Sequence, residues 1–479
     1  MNTRMIGFLL GRILMVEAGL LALPLLTALL YGEPLMPWLA TMLVLAAIGG
    51  ALSLRKPERT ALYAKDGFAA VALVWLLMSA FGALPFVLSG DIPNYIDAFF
   101  ETVSGFTTTG ASILTAVEPL SRGGLFWRSF THWVGGMGVL VFVMAILPMS
   151  DGHTMHILRA EMPGPTAGKL VSRMSDTAKI LYGMYFVMTL VMIGLLLLGG
   201  MDLFDASVHA FGAAGTGGFS SRNASVGAYG SPVIDMIIAV FALLFSVNFS
   251  VYFLVLHRRL KEALKSDELR FFLGVVAAAT VVITLDLLPI YQNTLESLRY
   301  AFFQVASIIS TTGFATADYV LWPQLSRLVL VLLMFCGACA GSTGGGIKCS
   351  RVLMLLRAIR REIHQIAHPR SVEVVKLDGK VAEESTVHSV LVFVGCYGLI
   401  LLGAALVVSL DKMPFDVSFS AALTCLSNVG PGLAAIGPTG NFSGFSDLSK
   451  LALSLCMIVG RLEIFPILVM FSARTWRRD

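Results

Sequence analysis

Apolar segments of two lengths alternate along the chain. A helix needs about 20 apolar residues to cross a bilayer, so the long segments are predicted transmembrane helices, whereas segments of about 12 residues are too short. In four places a long, a short and a second long segment follow one another, and a Gly- and Thr-rich stretch comes directly after the short one. We therefore expect four units, each made of a transmembrane helix, a re-entrant half-helix, a loop and a second transmembrane helix.

The segments of the four units occur in the same order. Unit 1 contains Phe68 to Leu88, Pro93 to Ser104 and Leu125 to Leu147; unit 2 contains Ile180 to Gly199, Leu203 to Ala213 and Val233 to Leu256; unit 3 contains Phe271 to Pro289, Thr294 to Ser310 and Leu328 to Ile347; unit 4 contains Val387 to Leu410, Phe415 to Ser427 and Leu448 to Phe471. Two further helices, Met5 to Leu30 and Pro37 to Leu54, precede unit 1 and bring the predicted crossings to ten. The predicted domains are 1–60 for these two helices, 61–160 and 161–262 for units 1 and 2, 263–380 for unit 3 with a cytoplasmic extension, and 381–479 for unit 4.

Each unit has one Gly-rich stretch, which we call loops 1 to 4. They are SGFTTTGAS (loop 1, 104–112), AAGTGGFSS (loop 2, 213–221), STTGFATADY (loop 3, 310–319) and SNVGPGLAA (loop 4, 427–435). Alignment of the shared glycines makes Gly110, Gly217, Gly313 and Gly430 equivalent. Non-helical backbone at membrane depth is tolerated only where protein buries it or water reaches it, so the four loops predict a lined cavity.

The distribution of basic residues predicts that the units share one orientation. Most of the 34 Lys and Arg residues lie at the termini or between units. Short cytoplasmic loops collect Lys and Arg, so each unit is expected to begin and end on the cytoplasmic side. The predicted fold is therefore an all-α membrane protein with four parallel repeats around a central pore, with both termini cytoplasmic. An inverted-repeat symporter would require a different charge pattern and midplane carboxylates.

Composition agrees with a membrane protein, because 56% of the residues are hydrophobic and only 13% are charged. The net charge of +4 is accounted for by topology, so nucleic acid is not an expected partner, whereas membrane lipids are. We expect the apolar N-terminus to be a retained helix rather than a cleaved signal. The six cysteines do not form a metal or redox motif, and no HExxH or GxSxG motif indicates an enzyme.

Backbone carbonyls in such loops can replace the hydration shell of a cation without the cost of burying carboxylates. The C-terminal ends of the half-helices would also place partial negative charge near the axis. None of the loops supplies an acidic ring, although Asp318 follows loop 3, so a monovalent cation is expected. The alternative, close packing of small residues between helices, accounts less well for four loops in register.

The four loops resemble the filter loops of the TrkH/KtrB superfamily of potassium transporters, and the two additional N-terminal helices resemble the TrkH branch. The resemblance implies potassium (K+) uptake, a homodimer with one pore per protomer, a TrkA-like nucleotide-binding regulator in the cytosol, and a bacterial inner membrane. It also implies a filter in which the potassium ligands are backbone groups of Thr108, Thr109, Gly110, Gly215, Thr216, Gly217, Thr311, Thr312, Gly313, Asn428, Val429 and Gly430. Loop 4 departs from the Thr-Gly form, so full fourfold equivalence is not expected there.

A second Gly-rich segment, GACAGSTGGGIK, interrupts the last helix of unit 3, and we call it the gating loop (337–348). Glycine disfavours helix by roughly 1 kcal/mol relative to Ala, so the five glycines should break this helix within the membrane. In the family that it resembles, the segment obstructs the pore below the filter until regulators act. The gate residues implied are Gly337, Gly341, Gly344, Gly345, Gly346, Lys348 and Arg461. A packing seam between helices is the alternative.

Arg461 is a basic residue deep in an apolar segment, where such residues face cavities or paired groups. The resemblance places it below the filter, as an electrostatic barrier to cations. The alternative is a structural role, in which it pairs with a carboxylate or with helix-end carbonyls. Glu463, two positions on, faces away from it. His132 and His209 are interpreted as packing residues.

The segment SVEVVKLDGKV (371–381) predicts two short strands about an Asp-Gly turn, or else a solvated loop. Together with Arg258 to Arg270, the cytoplasmic stretch from Arg351 to Glu384 is the candidate docking surface for a regulator.

Two related functions remain open from the residues alone: a sodium-selective transporter, and coupling of the transported cation to protons or sodium.

Overall fold

The computed structural model describes residues 2–54, 57, 64–138, 174–371 and 373–471. Within these ranges the chain is helical, apart from one short hairpin. The part of the predicted helix Leu125 to Leu147 beyond residue 138, and the basic residues 159–173, lie outside the described residues. The all-α membrane fold predicted from the sequence is confirmed.

The helices follow the predicted order of units. The N-terminal helices are α1 (Thr3–Leu20), α2 (Ala22–Leu30) and α3 (Met36–Ser53). Unit 1 contains α4 (Ala64–Gly82), α5 (Leu84–Ser89), α6 (Tyr95–Phe106) and α7 (Arg122–Gly136), and unit 2 contains α8 (Met174–Leu198), α9 (Leu203–Ala214), α10 (Pro232–Ser246) and α11 (Phe249–Leu256). Unit 3 contains α12 (Leu260–Ala263), α13 (Asp267–Tyr291), α14 (Thr294–Ile309), α15 (Gln324–Cys336) and α16 (Cys349–Ala367), and unit 4 contains α17 (Glu384–Val408), α18 (Phe415–Ser427), α19 (Asp447–Arg461) and α20 (Phe465–Phe471).

The predicted half-helices are α6, α9, α14 and α18, which have 12, 12, 16 and 13 residues. Three of them begin at a side-chain cap, where Asn94, Asp202 and Asn293 accept hydrogen bonds from backbone N–H groups of the first turn. The fourth begins after Pro414, whose fixed φ suits a helix start. Each half-helix ends where its Gly-rich loop begins, so the loop positions follow from helix length.

Within the described residues, six helical segments are long and apolar enough to cross a membrane, and the bent pair α10–α11 is a candidate for a seventh. The break predicted in the second helix of unit 3 is present, and the second helices of units 2 and 4, which the sequence predicts to be continuous, are interrupted as well. These helices are interrupted at 247–248, at the gating loop and at 462–464. Only the interruption in unit 3 has a Gly-rich sequence that predicts it.

The break in unit 2 bends the chain by 93° between α10 and α11. The gating loop pairs with the backbone that this bend leaves unpaired. The N–H of Cys339 donates to the Ser246 carbonyl at 3.1 Å, and the N–H of Phe249 donates to the Gly341 carbonyl at 3.0 Å. Asn248 caps the new helix by accepting from the Ser250 N–H at 2.9 Å. Two broken helices therefore satisfy each other's polar groups, as a low-dielectric environment requires.

The N-terminal helices α1 and α3 cross at two facing glycines. A Cβ added to Gly11 or to Gly49 would lie 2.7 Å from the carbonyl oxygen of the other, so only glycine permits this approach. Helix α1 also contacts α4 of unit 1. The N-terminal pair thus packs against the outside of unit 1.

The predicted hairpin is confirmed, with strands β1 (Lys376–Leu377) and β2 (Lys380–Val381) paired in antiparallel register. Asp378 and Gly379 form the turn with φ of 51° and 76°. Positive φ at both central residues is the geometry of a type I′ turn, for which Asp-Gly is a preferred pair.

Candidate ion pathway

Each of the four loops contains a residue other than glycine in the left-handed region, followed two positions later by a glycine with positive φ. The first residues are Thr108 (54°), Thr216 (56°), Thr311 (59°) and Asn428 (54°). The glycines are Gly110 (82°), Gly218 (78°), Gly313 (81°) and Gly430 (99°). Positive φ is rare for a β-branched residue and costs roughly 1–3 kcal/mol, and such strain concentrates at functional sites. Three strained threonines at equivalent positions therefore indicate a functional backbone conformation.

This repeated geometry corrects the register of loop 2. The residue between the two positive-φ positions donates its N–H to the carbonyl five residues earlier in all four loops, and these donors are Thr109, Gly217, Thr312 and Val429. Gly218, rather than Gly217, is therefore equivalent to Gly110, Gly313 and Gly430. Gly215 corresponds to the ends of the other half-helices. Loop 2 contains Gly-Thr-Gly-Gly, and the sequence alone did not distinguish the two adjacent glycines.

The four equivalent glycines each face the backbone of the next loop. A Cβ added to Gly110 would meet the Gly217 carbonyl, and one added to Gly218 would meet the Thr312 carbonyl. A Cβ added to Gly313 would meet the Val429 carbonyl, and one added to Gly430 would meet the Thr109 carbonyl. The last of these distances is 2.6 Å. Because the fourth contact returns to loop 1, the loops form a closed ring in the order 1, 2, 3, 4. We call Gly110, Gly218, Gly313 and Gly430 the ring glycines.

Side-chain hydroxyls of the loops bond back toward their own half-helices. The Thr109 hydroxyl lies 2.8 Å from that of Thr107, and the Thr312 hydroxyl lies 2.6 Å from that of Ser310. In loop 4 the Asn428 amide donates to the Thr109 hydroxyl and also to the Met457 carbonyl, both at 2.9 Å. Asn428 therefore joins loop 4 to loop 1 and to helix α19, a role that a threonine is too short to perform.

All four ring glycines line a cavity of about 110 Å³. Arg128 also lines this cavity, and its Nε donates to the buried carboxylate of Glu101 at 2.5 Å. Glu101 also accepts from the Ile113 N–H at 3.0 Å, and Arg128 donates to the Ser220 carbonyl at 3.1 Å. The pair thus holds the segments that leave loops 1 and 2 at fixed positions.

Sequence reasoning missed Glu101, Arg128 and the supporting role of His132. The His132 ring contacts Gly217 from behind the loop, and its Nδ1 lies 2.7 Å from the Gly105 carbonyl. A charged pair inside two apolar segments was the available signal for Glu101 and Arg128. His209 bonds to the Asp205 carbonyl and to the Ser220 hydroxyl, so a packing role fits both histidines.

A second polar cluster lies beyond loop 2. Asp205 accepts hydrogen bonds from the hydroxyls of Ser221 and Tyr229, at 2.7 and 2.6 Å, and from Arg222 at 3.2 Å. Burial is the larger cause of a raised pKa at the Tyr229 hydroxyl, and the hydrogen bond to Asp205 raises this pKa further. Tyr229 therefore stays protonated and acts as a donor that holds the segment after loop 2.

The gating loop packs directly against loops 3 and 4. The Gly345 N–H donates to the Thr311 hydroxyl at 2.7 Å, and a Cβ on Gly344 would lie 2.9 Å from the Ser310 carbonyl. A Cβ on Gly345 would meet the Ser427 carbonyl. The gating loop thus fits against the ends of two half-helices, and the close approach requires glycine at Gly344 and Gly345.

Two basic side chains hold the gating loop. Buried Lys348 has a φ of 82°, and its Nζ donates to the Gly344 carbonyl. The last residue of the gating loop is therefore bonded to a residue four positions earlier in the same loop. Arg461 donates to the Thr343 carbonyl at 2.6 Å, and to the carbonyls of Gly135 and Gly136 at 2.6 and 2.5 Å. The guanidinium therefore joins the gating loop to the end of α7. A structural role for Arg461 requires pairing with helix-end carbonyls, and the carbonyls of Gly135 and Gly136 at the end of α7 meet that requirement.

Glu463 does not pair with Arg461, in agreement with its predicted direction. It accepts hydrogen bonds from both terminal nitrogens of Arg351, at 3.2 and 2.5 Å. These bonds connect the interrupted helix of unit 3 to that of unit 4. The Arg351 guanidinium also lies over the Phe393 ring, 4.1 Å from its centroid. This pair anchors the start of α16 to the break in the final helix.

A multi-pass helical bundle in which four strained loops close into a ring defines a membrane protein of the ion-transport class. A family model described as TrkH, cation transport protein, matches residues 36–478. The Trk system potassium uptake protein TrkH of Escherichia coli K12 is 36% identical over 100% of both chains, and TrkG of the same organism is 34% identical over 95% of this chain and 94% of its own. The crystal structure of the potassium transporter TrkH from Vibrio parahaemolyticus has a TM-score of 0.89 and 33% identity, with 100% of both chains covered.

The chain belongs to the TrkH family of cation transport proteins. The resemblance predicted from the four loops is confirmed over the full length of the chain. The protein is accordingly a transporter and not an enzyme.

Proposed function

We propose that the protein takes up potassium through the ring of loops, with backbone oxygens replacing the hydration shell of the ion. The proposed ligands are the predicted filter residues in the corrected register, so that Gly218 joins the set and Gly215 leaves it: Thr108, Thr109, Gly110, Thr216, Gly217, Gly218, Thr311, Thr312, Gly313, Asn428, Val429 and Gly430. The observation that carries this proposal is the closed ring of glycine contacts.

Three features support transport of a cation through backbone groups. The strained φ values are those that Gly tolerates and that Thr adopts only under constraint. The hydroxyls of Thr109 and Thr312 are engaged behind the loops, so their carbonyls are the groups left to serve as ligands. The half-helices end at the ring, and their C-terminal dipoles favour positive charge there.

Potassium is proposed as the substrate because the relatives described above are named as potassium uptake proteins. The gating loop is proposed to obstruct the ion pathway, since it packs against loops 3 and 4. We further propose a homodimer in a bacterial inner membrane, with cytoplasmic termini and a TrkA-like regulator on the cytoplasmic side. The proposed domains are the N-terminal helix pair and the four units predicted above.

Reconstituted vesicles test the proposal directly. Uptake of the potassium analogue 86Rb+ should be reduced by excess external K+ and much less by equal Na+. Competition by Na+ equal to that by K+ would instead favour a sodium transporter of the same fold. A dependence of uptake on an imposed proton or sodium gradient, at constant membrane potential, would establish coupling to that ion.

A further inference from the structure

Glu268 is a buried carboxylate that bonds both to the gating loop and to the helix that follows it. It lies in the first turn of α13, and its Oε1 accepts the N–H of Ala340 at 2.7 Å and the N–H of Ser350 at 3.0 Å. Ala340 lies within the gating loop, and Ser350 is the second residue of α16, just beyond the loop. A single charged oxygen therefore connects the loop to the helix that follows it, and charge-assisted bonds of this kind are roughly twice as strong as neutral ones.

The preceding residue, Asp267, faces the cytoplasmic hairpin. Its backbone N–H donates to the Asp378 carboxylate at 2.7 Å, and the Asp378 N–H donates back to the Asp267 carboxylate at 3.0 Å. Arg357 of α16 donates to Asp267 at 2.8 Å and also to the Lys376 carbonyl in the hairpin. The hairpin turn is thus docked on the first residue of α13.

Asp267 and Glu268 are consecutive residues at the start of one helix, so they move together. A displacement of the hairpin changes the position of Asp267, and a shift of about 1 Å is sufficient to break a hydrogen bond of normal length. The same displacement would pull Glu268 from Ala340 and Ser350. The exposed surface and the gating loop are therefore linked by one rigid helix start.

We propose that Glu268 is a positioning residue that latches the gating loop closed, and that the hairpin 376–381 is the point at which a soluble partner releases it through Asp267. The proposal rests on the function proposed above. A cleft of about 650 Å³ beside the hairpin is lined by four basic residues and two acidic ones, and this excess of positive charge fits an acidic face of the partner. The basic residues are Arg357, Arg360, Arg361 and Lys376, and the acidic ones are Asp267 and Glu373.

The first test is basal flux without any partner. Purified full-length protein is reconstituted, and 86Rb+ uptake is measured for wild type, Glu268→Gln and Glu268→Ala. We expect uptake at least tenfold above wild type for Glu268→Ala and an intermediate increase for Glu268→Gln, whose neutral oxygen accepts more weakly. The K+/Na+ competition ratio should be unchanged in both. Asp447→Ala, which removes an exposed carboxylate from the first turn of α19, serves as the control and should match wild type.

The second test measures the latch itself. Amide hydrogen exchange at Ala340 and Ser350 should be slow in wild type and at least tenfold faster in Glu268→Ala. This readout applies even if flux is altered for another reason. If Glu268→Ala does not fold, Glu268→Gln must show both changes, and wild-type flux with wild-type exchange in a folded Glu268→Gln would overturn the proposal.

The role of the hairpin needs its own variant. Val375 and Ala382 are already paired, since the Ala382 N–H donates to the Val375 carbonyl at 2.8 Å. Replacing 376–381 with Asn-Gly therefore closes the chain with a two-residue turn and removes the contact with Asp267. We expect raised basal flux and faster exchange at Ala340; unchanged values for both would refute the link through Asp267. Absence of 86Rb+ transport in wild type and also in the folded Glu268 and hairpin variants would refute the proposed function, whereas transport that is insensitive to Glu268 refutes only this inference.

Discussion

Alanine at Gly430 should weaken the selectivity of the ring. This glycine has a φ of 99°, and an added Cβ would lie 2.6 Å from the Thr109 carbonyl oxygen and 3.0 Å from the Gly110 carbonyl carbon. Real Cβ atoms do not approach within 3.0 Å, so the Thr109 oxygen must retreat by at least 0.4 Å, the difference between the two distances. A substitution in loop 4 therefore displaces a carbonyl that belongs to loop 1.

The expected magnitude follows from the loss of one ligand. A hydrogen-bonding contact to a charged group contributes about 1.5–3 kcal/mol net. Selectivity is the difference between the affinities for K+ and Na+, so this energy sets the upper limit of the change. The preference for K+ over Na+ should fall by up to about a hundredfold, at 1.4 kcal/mol for each factor of ten. Backbone strain adds about 1–2 kcal/mol of destabilisation, which lowers the melting temperature without affecting ion choice directly.

The assay is 86Rb+ uptake into vesicles with K+ and Na+ as competitors, alongside thermal unfolding in detergent. Gly230→Ala is the matched control, because Gly230 has a φ of 57° but nothing within 4 Å of an added Cβ. It carries the backbone strain without the collision. A folded Gly430→Ala protein with wild-type ion competition would refute the proposal that the ring sets selectivity, and equal loss of selectivity in the control would show that strain alone is responsible.

Three further predictions concern the gate and the ring. If Arg461 is a barrier, Arg461→Ala should raise 86Rb+ flux by tenfold or more and Arg461→Lys should keep it low; loss of thermal stability without raised flux would favour the structural role. Removing several residues of the gating loop should raise flux while the K+/Na+ competition ratio is kept, and a folded variant with no flux would favour the packing seam. Gly217→Ala should be rescued by His132→Ala, which removes the ring that the new Cβ meets, whereas Gly218→Ala should not be, because its Cβ meets backbone; selectivity and melting temperature report both cases.

The sequence by itself determined the order of the helical segments, the positions of the four half-helices and the positions of the four loops. Segment lengths carry this information because a membrane helix must satisfy its backbone within itself over about 20 residues. The glycines of the gating loop likewise predicted a break in unit 3, and Asp378 with Gly379 predicted the hairpin turn. Each of these features depends on residues that are neighbours in the chain.

Only the tertiary structure decided which groups meet across the units. The register of loop 2 depends on which of Gly217 and Gly218 faces the Thr312 carbonyl, and two adjacent glycines are indistinguishable until loop 3 is in place. The break in unit 2 has no Gly-rich signal in its own sequence, since the carbonyls exposed at the end of α10 are satisfied by the gating loop, far away in sequence. The carbonyls to which Arg461 donates and the N–H groups that donate to Glu268 belong to the backbone, which every residue carries, so side-chain patterns along the chain could not have identified them.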